Sequence, residues 1–156
     1  MSALDDIGLL VRHATPDDAA PVATLFRHVR TSSLPFLPDL HSAAEDLEFF
    51  RNTVFRLSTV MVAETDCIIA FVAWRIGWVD HLYVHPDYTR RGIGRVLLDR
   101  AIDGQHRVEL WAFQRNIAAR AFYRKHGFRV LYETDGENNE EKEPDVRLAW
   151  ERRQSS

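Results

Sequence analysis

The order of apolar and polar positions divides the chain into short segments of changing period. Leu9 to His13 reads as a first strand. Thr15-Pro16-Asp17-Asp18 then opens a helix. Thr15 is a cap, Pro16 suits the first helical position, and the two aspartates suit the positive end of the dipole. Ala19, Val22, Ala23, Phe26 and Val29 recur at helical spacing and predict its buried stripe. Pro35 and Pro38 bar a regular helix from residues 31–41. Ser42-Ala43-Ala44-Glu45 is a capping box, and Leu47, Phe50 and Val54 mark the inner face of a second helix.

The period changes at Thr59. Thr59 to Glu64 and Ile68 to Trp74 are β-rich runs, joined through Thr65-Asp66-Cys67 as a hairpin. Trp78 to Val84 is a third such run. Ile93, Val96, Leu97 and Ala101 return to helical spacing, which Gly104 ends. Val108 to Phe113 reads as a strand, and Asn116 to His126 as a helix capped by Asn116 and stopped by Gly127. Phe128 to Thr134 and Val146 to Trp150 are two closing strands around a polar, acidic loop, Asp135 to Pro144. The predicted order is β-α-α-β-β-β-α-β-α-β-β. This is an α/β fold: one mixed sheet of about seven strands flanked by about four helices.

Composition narrows the function more than the fold. A chain of 156 residues is the size of one domain, predicted over residues 1–156 with its core at about 9–151. A net charge of -3 offers no field for nucleic acid or an anionic membrane. No apolar run approaches the ~20 residues that span a bilayer. The first residues, with Ser2, Asp5 and Asp6, lack the basic start of a leader peptide, so a cytoplasmic protein is expected. The single cysteine, Cys67, reads as an inert thiol at a turn. His85, His106 and His126 have no metal-ligand spacing, and no metal site is expected.

The most informative segment is Val84-His85-Pro86-Asp87-Tyr88-Thr89-Arg90-Arg91-Gly92-Ile93-Gly94-Arg95. A strand ends, Pro86 turns the chain, and a helix begins near Gly92. Glycines let backbone N–H groups approach a ligand, and successive N–H groups at a helix start form an anion site. Arg90, Arg91 and Arg95 add charge, so a pyrophosphate would fit. The third glycine of the dinucleotide fingerprint and the Gly-Lys-Ser/Thr of a P-loop are both missing. By itself the turn is equally a plain strand–turn–helix junction.

Two motifs at the right separation add to this. Leu82-Tyr83-Val84-His85-Pro86 followed by Arg91-Gly92-Ile93-Gly94, and then Asn116, Ala119, Phe122-Tyr123 and Gly127-Phe128, resemble the GCN5-related N-acetyltransferase (GNAT) superfamily. The dense match covers about Trp78 to Val130, roughly a third of the chain. One departure is Thr89, where the family often has Gln or Arg. Because the loop binds chiefly through backbone N–H groups, Arg90 or Arg91 can compensate.

The resemblance implies a single-domain GNAT-like fold and an acetyl-CoA-dependent N-acetyltransferase. The acetyl group would pass directly to a primary amine of a small molecule or peptide. A non-catalytic acyl-CoA-binding sensor or interaction domain is the alternative. In this family the fourth and fifth strands splay apart around the pantetheine arm. Leu82, Tyr83 and Val84 would then offer backbone groups, Thr89 to Arg95 (Thr89, Arg90, Arg91, Gly92, Ile93, Gly94, Arg95) would hold the pyrophosphate, and Asn116 and Ala119 would line the arm. Asn116 reads equally as a helix cap. Tyr123 matches the family's general acid, with core packing beside Phe122 as the other reading. Asp80 leads as general base, placed by strand alternation on one face with Leu82, while His81 and Tyr83 take the other; its low ordinary pKa calls for burial or a water relay, and His81, with the better-matched pKa, is the alternative. A solvated strand residue is the other reading of Asp80. The acceptor wall is expected at Leu34 to His41, with Phe36, Leu37 and His41 joined by Asp80 and Trp111; Trp74 and Trp111 also read as core. The acidic loop is either solvated or draws in a cationic amine through Glu143 or Asp145. The sequence leaves the oligomeric state open, with an exposed C-terminal strand as the element through which a homodimer could pair.

Overall fold

The computed structural model describes residues 7–153; the reading made of Ser2, Asp5 and Asp6 lies outside them. The local signals act where the sequence places them. Thr15 N–H donates to the Asp18 carboxylate (2.7 Å) at a short 3-10 turn, Pro16–Asp18, that leads into helix α1, Ala19–Ser33. Ser42 and Glu45 exchange two hydrogen bonds, of 3.0 and 3.1 Å, at the start of α2. Helix α2 runs from Ala43–Phe49 through a π-turn at Phe50–Val54 into Phe55–Leu57. That wide turn buries Phe50 and Val54 while Phe49, Asn52 and Thr53 line a cavity.

The remaining elements are β1, Leu10–His13; β2, Thr59–Glu64; β3, Ile68–Arg75; β4, Trp78–Val84; α3, Ile93–Ile102; β5, Arg107–Phe113; α4, Ile117–Lys125; β6, Arg129–Glu133; and β7, Asp145–Glu151. The element order and the mixed seven-stranded sheet agree with the sequence reading. The strands lie in the order β1-β2-β3-β4-β5-β7-β6. Strand β7 is therefore internal, between β5 and β6. This corrects the expectation of an exposed C-terminal strand: the free edge at that end is β6.

Helices cover both faces of the sheet. Ile93, Leu97 and Leu98 of α3 pack with Val72, Val79 and Leu110 in one cluster. Val22 of α1 and Phe50 of α2 pack with Val62 and Phe71 in the other. Burying such side chains stabilises the fold by roughly 1.5–3 kcal/mol each. Helix α4 closes with Phe128 N–H donating to Tyr123 O (2.9 Å) beyond Gly127, whose φ is 91°.

Two irregularities at β4 make the site. First, β4 and β5 pair in parallel only at Trp78 and Glu109, and beyond that point they part. Second, β4 bulges against β3. Ala73 pairs with His81 but Trp74 pairs with Val79, which leaves Asp80 as the extra residue. Simple alternation therefore fails there: Val79 shares a core cluster with Leu82 and Val84.

Candidate active site

The gap between β4 and β5 is a cleft of about 90 Å³. Its walls include Leu82 and Tyr83 from β4, Trp111 from β5, and Asn116, Ala119 and Tyr123 from the α4 segment. Parting the strands frees the β5-facing backbone groups of β4, because its other edge is already paired with β3. At the mouth of the cleft the chain turns through Arg90 (φ 63°) and Gly92 (φ 86°) into α3. Gly92 is the left-handed residue before the helix, a conformation that carries no steric cost only for glycine. Gly94 serves packing instead: a Cβ there would meet the Phe122 ring at 3.4 Å and Val84 at 3.7 Å. The first N–H groups of α3 have no intrahelical acceptors and point out of this turn. Arg91 lies over the Tyr88 ring at 5.2 Å, and Arg95 only approaches Asp99, at 3.9 Å. Thr89 donates to Pro86 O at 3.1 Å and so braces the turn. Free N–H groups, a positive-φ bend and uncommitted guanidiniums are the donor set that a pyrophosphate needs.

Asn116 Oδ1 accepts from Ala119 N–H at 3.2 Å, so the cap is made, and the same side chain lines the cleft. Tyr123 is buried in the cleft wall. Burial, with the nearby Tyr83 phenol, holds the Tyr123 phenol well above its ordinary pKa, and its proton stays on at neutral pH. Burial also raises Tyr83, although Arg30 opposes the shift.

A second, larger cavity of about 830 Å³ lies between α1, α2 and the β6–β7 loop. Leu34 and His81 are the residues it shares with the cleft. His81 is therefore the polar side chain at the junction. It lies among aromatic rings, with Phe26 at 5.8 Å, Phe50 at 5.6 Å and Tyr83 at 6.2 Å. Burial lowers its pKa to about 4; Asp80 opposes this and Arg30 adds to it. The imidazole is neutral at pH 7.

The expected site residues separate in space. Leu82, Tyr83, Asn116, Ala119 and Tyr123 come together in the cleft, and Thr89 to Arg95 form the turn at its mouth. Leu37 and His41 line the large cavity. Four expectations need correction. Asp80 lies in the cleft wall as expected, but its carboxylate is engaged: Arg75 holds it through bonds of 2.7 and 2.9 Å, and Ser58 donates to it at 3.2 Å. Phe36 is absent from the cavity wall and packs on Phe113 at 6.3 Å, beneath the Arg115 guanidinium. Trp111 is 44% exposed and lies against Arg147 and Tyr132, in the cleft wall rather than the large cavity. In the acidic loop, Glu143 is buried on Arg115 and Asp145 bonds to Thr134 and Asn139. The carboxylates that reach the cavity are Glu140 and Glu141 instead. The cavity residues Arg30, Phe49, Asn52 and Thr53 had no signal in the sequence beyond ordinary helical spacing.

Comparisons with known proteins agree with this geometry. The family model of the acetyltransferase (GNAT) domain matches residues 56–130. An uncharacterised N-acetyltransferase of Methanocaldococcus jannaschii is 33% identical over a match covering 38% of this chain. The chain spans about a third of that relative's length, 34%. The uncharacterised N-acetyltransferase YafP of Escherichia coli is 26% identical over 78% of this chain and 81% of its own. Among solved structures, the PaiA N-acetyltransferase of Thermoplasma acidophilum, in complex with coenzyme A, superposes with a TM-score of 0.75. It is 20% identical and covers 92% of this chain and 99% of its own. The match to the GNAT domain spans a little under half of the chain, and the chain as a whole shares the fold of these acetyltransferase structures. No helix among the described residues is long and apolar enough to cross a membrane.

Proposed function

We propose that this protein transfers an acetyl group from acetyl-CoA directly to a primary amine of a small molecule or peptide. The observation that carries the reading is the junction at β4: the cleft, followed in the chain by a glycine-rich turn with free N–H donors, shares His81 and Leu34 with a separate cavity large enough for an acceptor. Acetyl-CoA, when bound, supplies a thioester as the electrophile. The backbone N–H groups of Arg91 to Arg95 and the Arg90 and Arg91 side chains hold its phosphates. Asn116 and Ala119 orient the arm, and the free edge of β4 at Leu82 to Val84 donates to the carbonyl oxygen, where negative charge develops.

Tyr123 Oη lends its proton to the sulfur as the C–S bond breaks and is restored by the proton that the nitrogen sheds as the C–N bond forms, so no phenolate is left in the buried cleft. His81 meets the acceptor nitrogen. With a pKa of about 4 it cannot store a proton taken from an ammonium of pKa near 10.4, because that transfer is uphill by about 9 kcal/mol. It accepts a hydrogen bond from the amine and orients it, and the amine loses its proton to solvent. Contact between two bound reactants supplies much of the acceleration. Asp80 braces the bulge through Arg75.

The absence of a strong base at the junction favours the second reading, an acyl-CoA-binding domain without turnover. Release of free thiol from acetyl-CoA with a panel of primary amines separates the two. Saturable, amine-dependent release is expected. Calorimetric binding of acetyl-CoA with no release from any amine or peptide would establish the second reading instead.

A further inference from the structure

Carboxylates crowd the acceptor cavity. Asp39, Glu45, Asp46, Glu48, Glu140 and Glu141 line it, against Arg27, Arg30 and His41. Six carboxylates face two guanidiniums, so this wall is net negative even with a proton on His41, whose pKa the Glu140 hydrogen bond raises. The negative charge is therefore gathered on one surface rather than spread as a solvated coat.

The partners of these carboxylates differ in how firmly they hold. Arg27 is fully engaged: it bonds Asp46 at 3.0 Å, Asp39 at 3.0 and 3.2 Å, and the His41 carbonyl at 2.8 Å. Those bonds fix the α1–α2 connection. Glu140 and Glu141 belong to the loop before β7 and reach across the cavity. Their partners are His41, 2.5 Å from Glu140, and Arg30, 3.8 Å from Glu141 and beyond hydrogen-bond range. Glu48 forms no ion pair among the described residues. At the inner end lies His81, whose buried ring has no hydrogen-bond partner among the described residues. An unpartnered polar group inside and replaceable carboxylate pairs outside define two ends of one ligand.

The reacting nitrogen cannot account for the outer end. It must be uncharged when it attacks, so a net negative wall rewards it little at the moment of transfer. A charge that persists through the reaction is rewarded throughout. We infer that the acceptor is a small amine bearing a second, permanent positive charge. Its reacting nitrogen lies at His81, and Glu140 and Glu141 take the distal ammonium from His41 and Arg30. This rests on the acetyltransfer reading and deepens it: the β6–β7 loop becomes the specificity element.

The test compares 1,4-diaminobutane with butylamine, which differ only in the distal charge. With acetyl-CoA saturating, thiol release should show a KM for the diamine at least tenfold below that for butylamine. The advantage should shrink in 0.5 M salt, because the Glu140 carboxylate is exposed. Glu140→Gln/Glu141→Gln should reduce the diamine-to-monoamine preference at least fivefold. Glu140→Gln alone, an exposed change, should reduce it in the same direction if the double variant folds poorly. Equal KM values for the two amines, or a preference unmoved by Glu140→Gln, would overturn the inference. If no amine supports thiol release, the acetyltransfer reading fails separately. Calorimetric titration with 1,4-diaminobutane then decides the cavity's ligand class, and failure to bind it more tightly than butylamine rejects the dication.

Discussion

His81 offers a measurement whose size follows from the fold. Its imidazole is held to a pKa of about 4 by burial, against about 6.5 in an unfolded chain. The folded state thus refuses a proton that the unfolded state accepts. The pKa is depressed, so this stability is fully present above about pH 6.5 and is lost as pH falls toward 4. The difference of about 2.5 units corresponds to roughly 3 kcal/mol, with a slope of about 1.4 kcal/mol per pH unit within the window. His81→Phe removes the titration and keeps a ring among Phe26, Phe49, Phe50, Phe71 and Tyr83. Urea unfolding at a series of pH values from 7.5 to 4 provides the assay. Every other titrating group, including His41, is common to both proteins and cancels in the difference. The natural protein should lose about 3 kcal/mol more than the variant between pH 7 and pH 4. Parallel loss in the two, within about 1 kcal/mol, would refute a buried neutral His81 and with it the orienting role at the junction.

Other outcomes follow from the same geometry. Tyr123→Phe should lower kcat by about 10²-fold and leave acetyl-CoA affinity within a factor of about three by calorimetry, since only the proton donor is lost. Gly92→Ala meets no clash but must hold φ at 86°, so it should cost about 1–2 kcal/mol of stability and weaken acetyl-CoA binding. Asp80→Asn removes one partner of a partly exposed ion pair; thermal unfolding should show a loss of about 1 kcal/mol or less. The alkaline rise in rate should persist in that variant, following the acceptor's free-amine fraction with no inflection near pH 6.5. Flattening of the rise would return Asp80 to the role of base.

The contrast between what was legible and what was not follows from distance along the chain. The Ser42–Glu45 box, the Gly92 turn, the Asn116 cap and the Gly127 stop each act within a few residues, so composition and spacing expose them. The element order follows from the same local periods. The cleft residues were legible through two short motifs, because a glycine-rich turn and a capped helix are built from neighbours. Strand β4 marks the limit. Its bulge at Asp80 depends on the register against β3, and a shift of one residue reassigns every face. No alternation read from residues 78–84 alone contains that register. The bidentate bond that occupies Asp80 comes from Arg75 across the β3–β4 turn.

The acceptor cavity lies further still from sequence. His41 and Glu140 are 99 positions apart and meet only because β7 inserts between β5 and β6, which brings the acidic loop over the first helices. Which of five acids in that loop would face inward was settled by Arg115, which draws Glu143 into the protein and leaves Glu140 and Glu141 turned to the cavity. The sequence by itself determined the helix starts and stops, the order of elements along the chain and the glycine-rich turn, since backbone hydrogen bonding and side-chain periodicity are local. Tertiary structure alone decided the bulge, the parting of β4 from β5 and the charge of the acceptor wall, because each arises from groups that the chain brings together only after its sheet has closed.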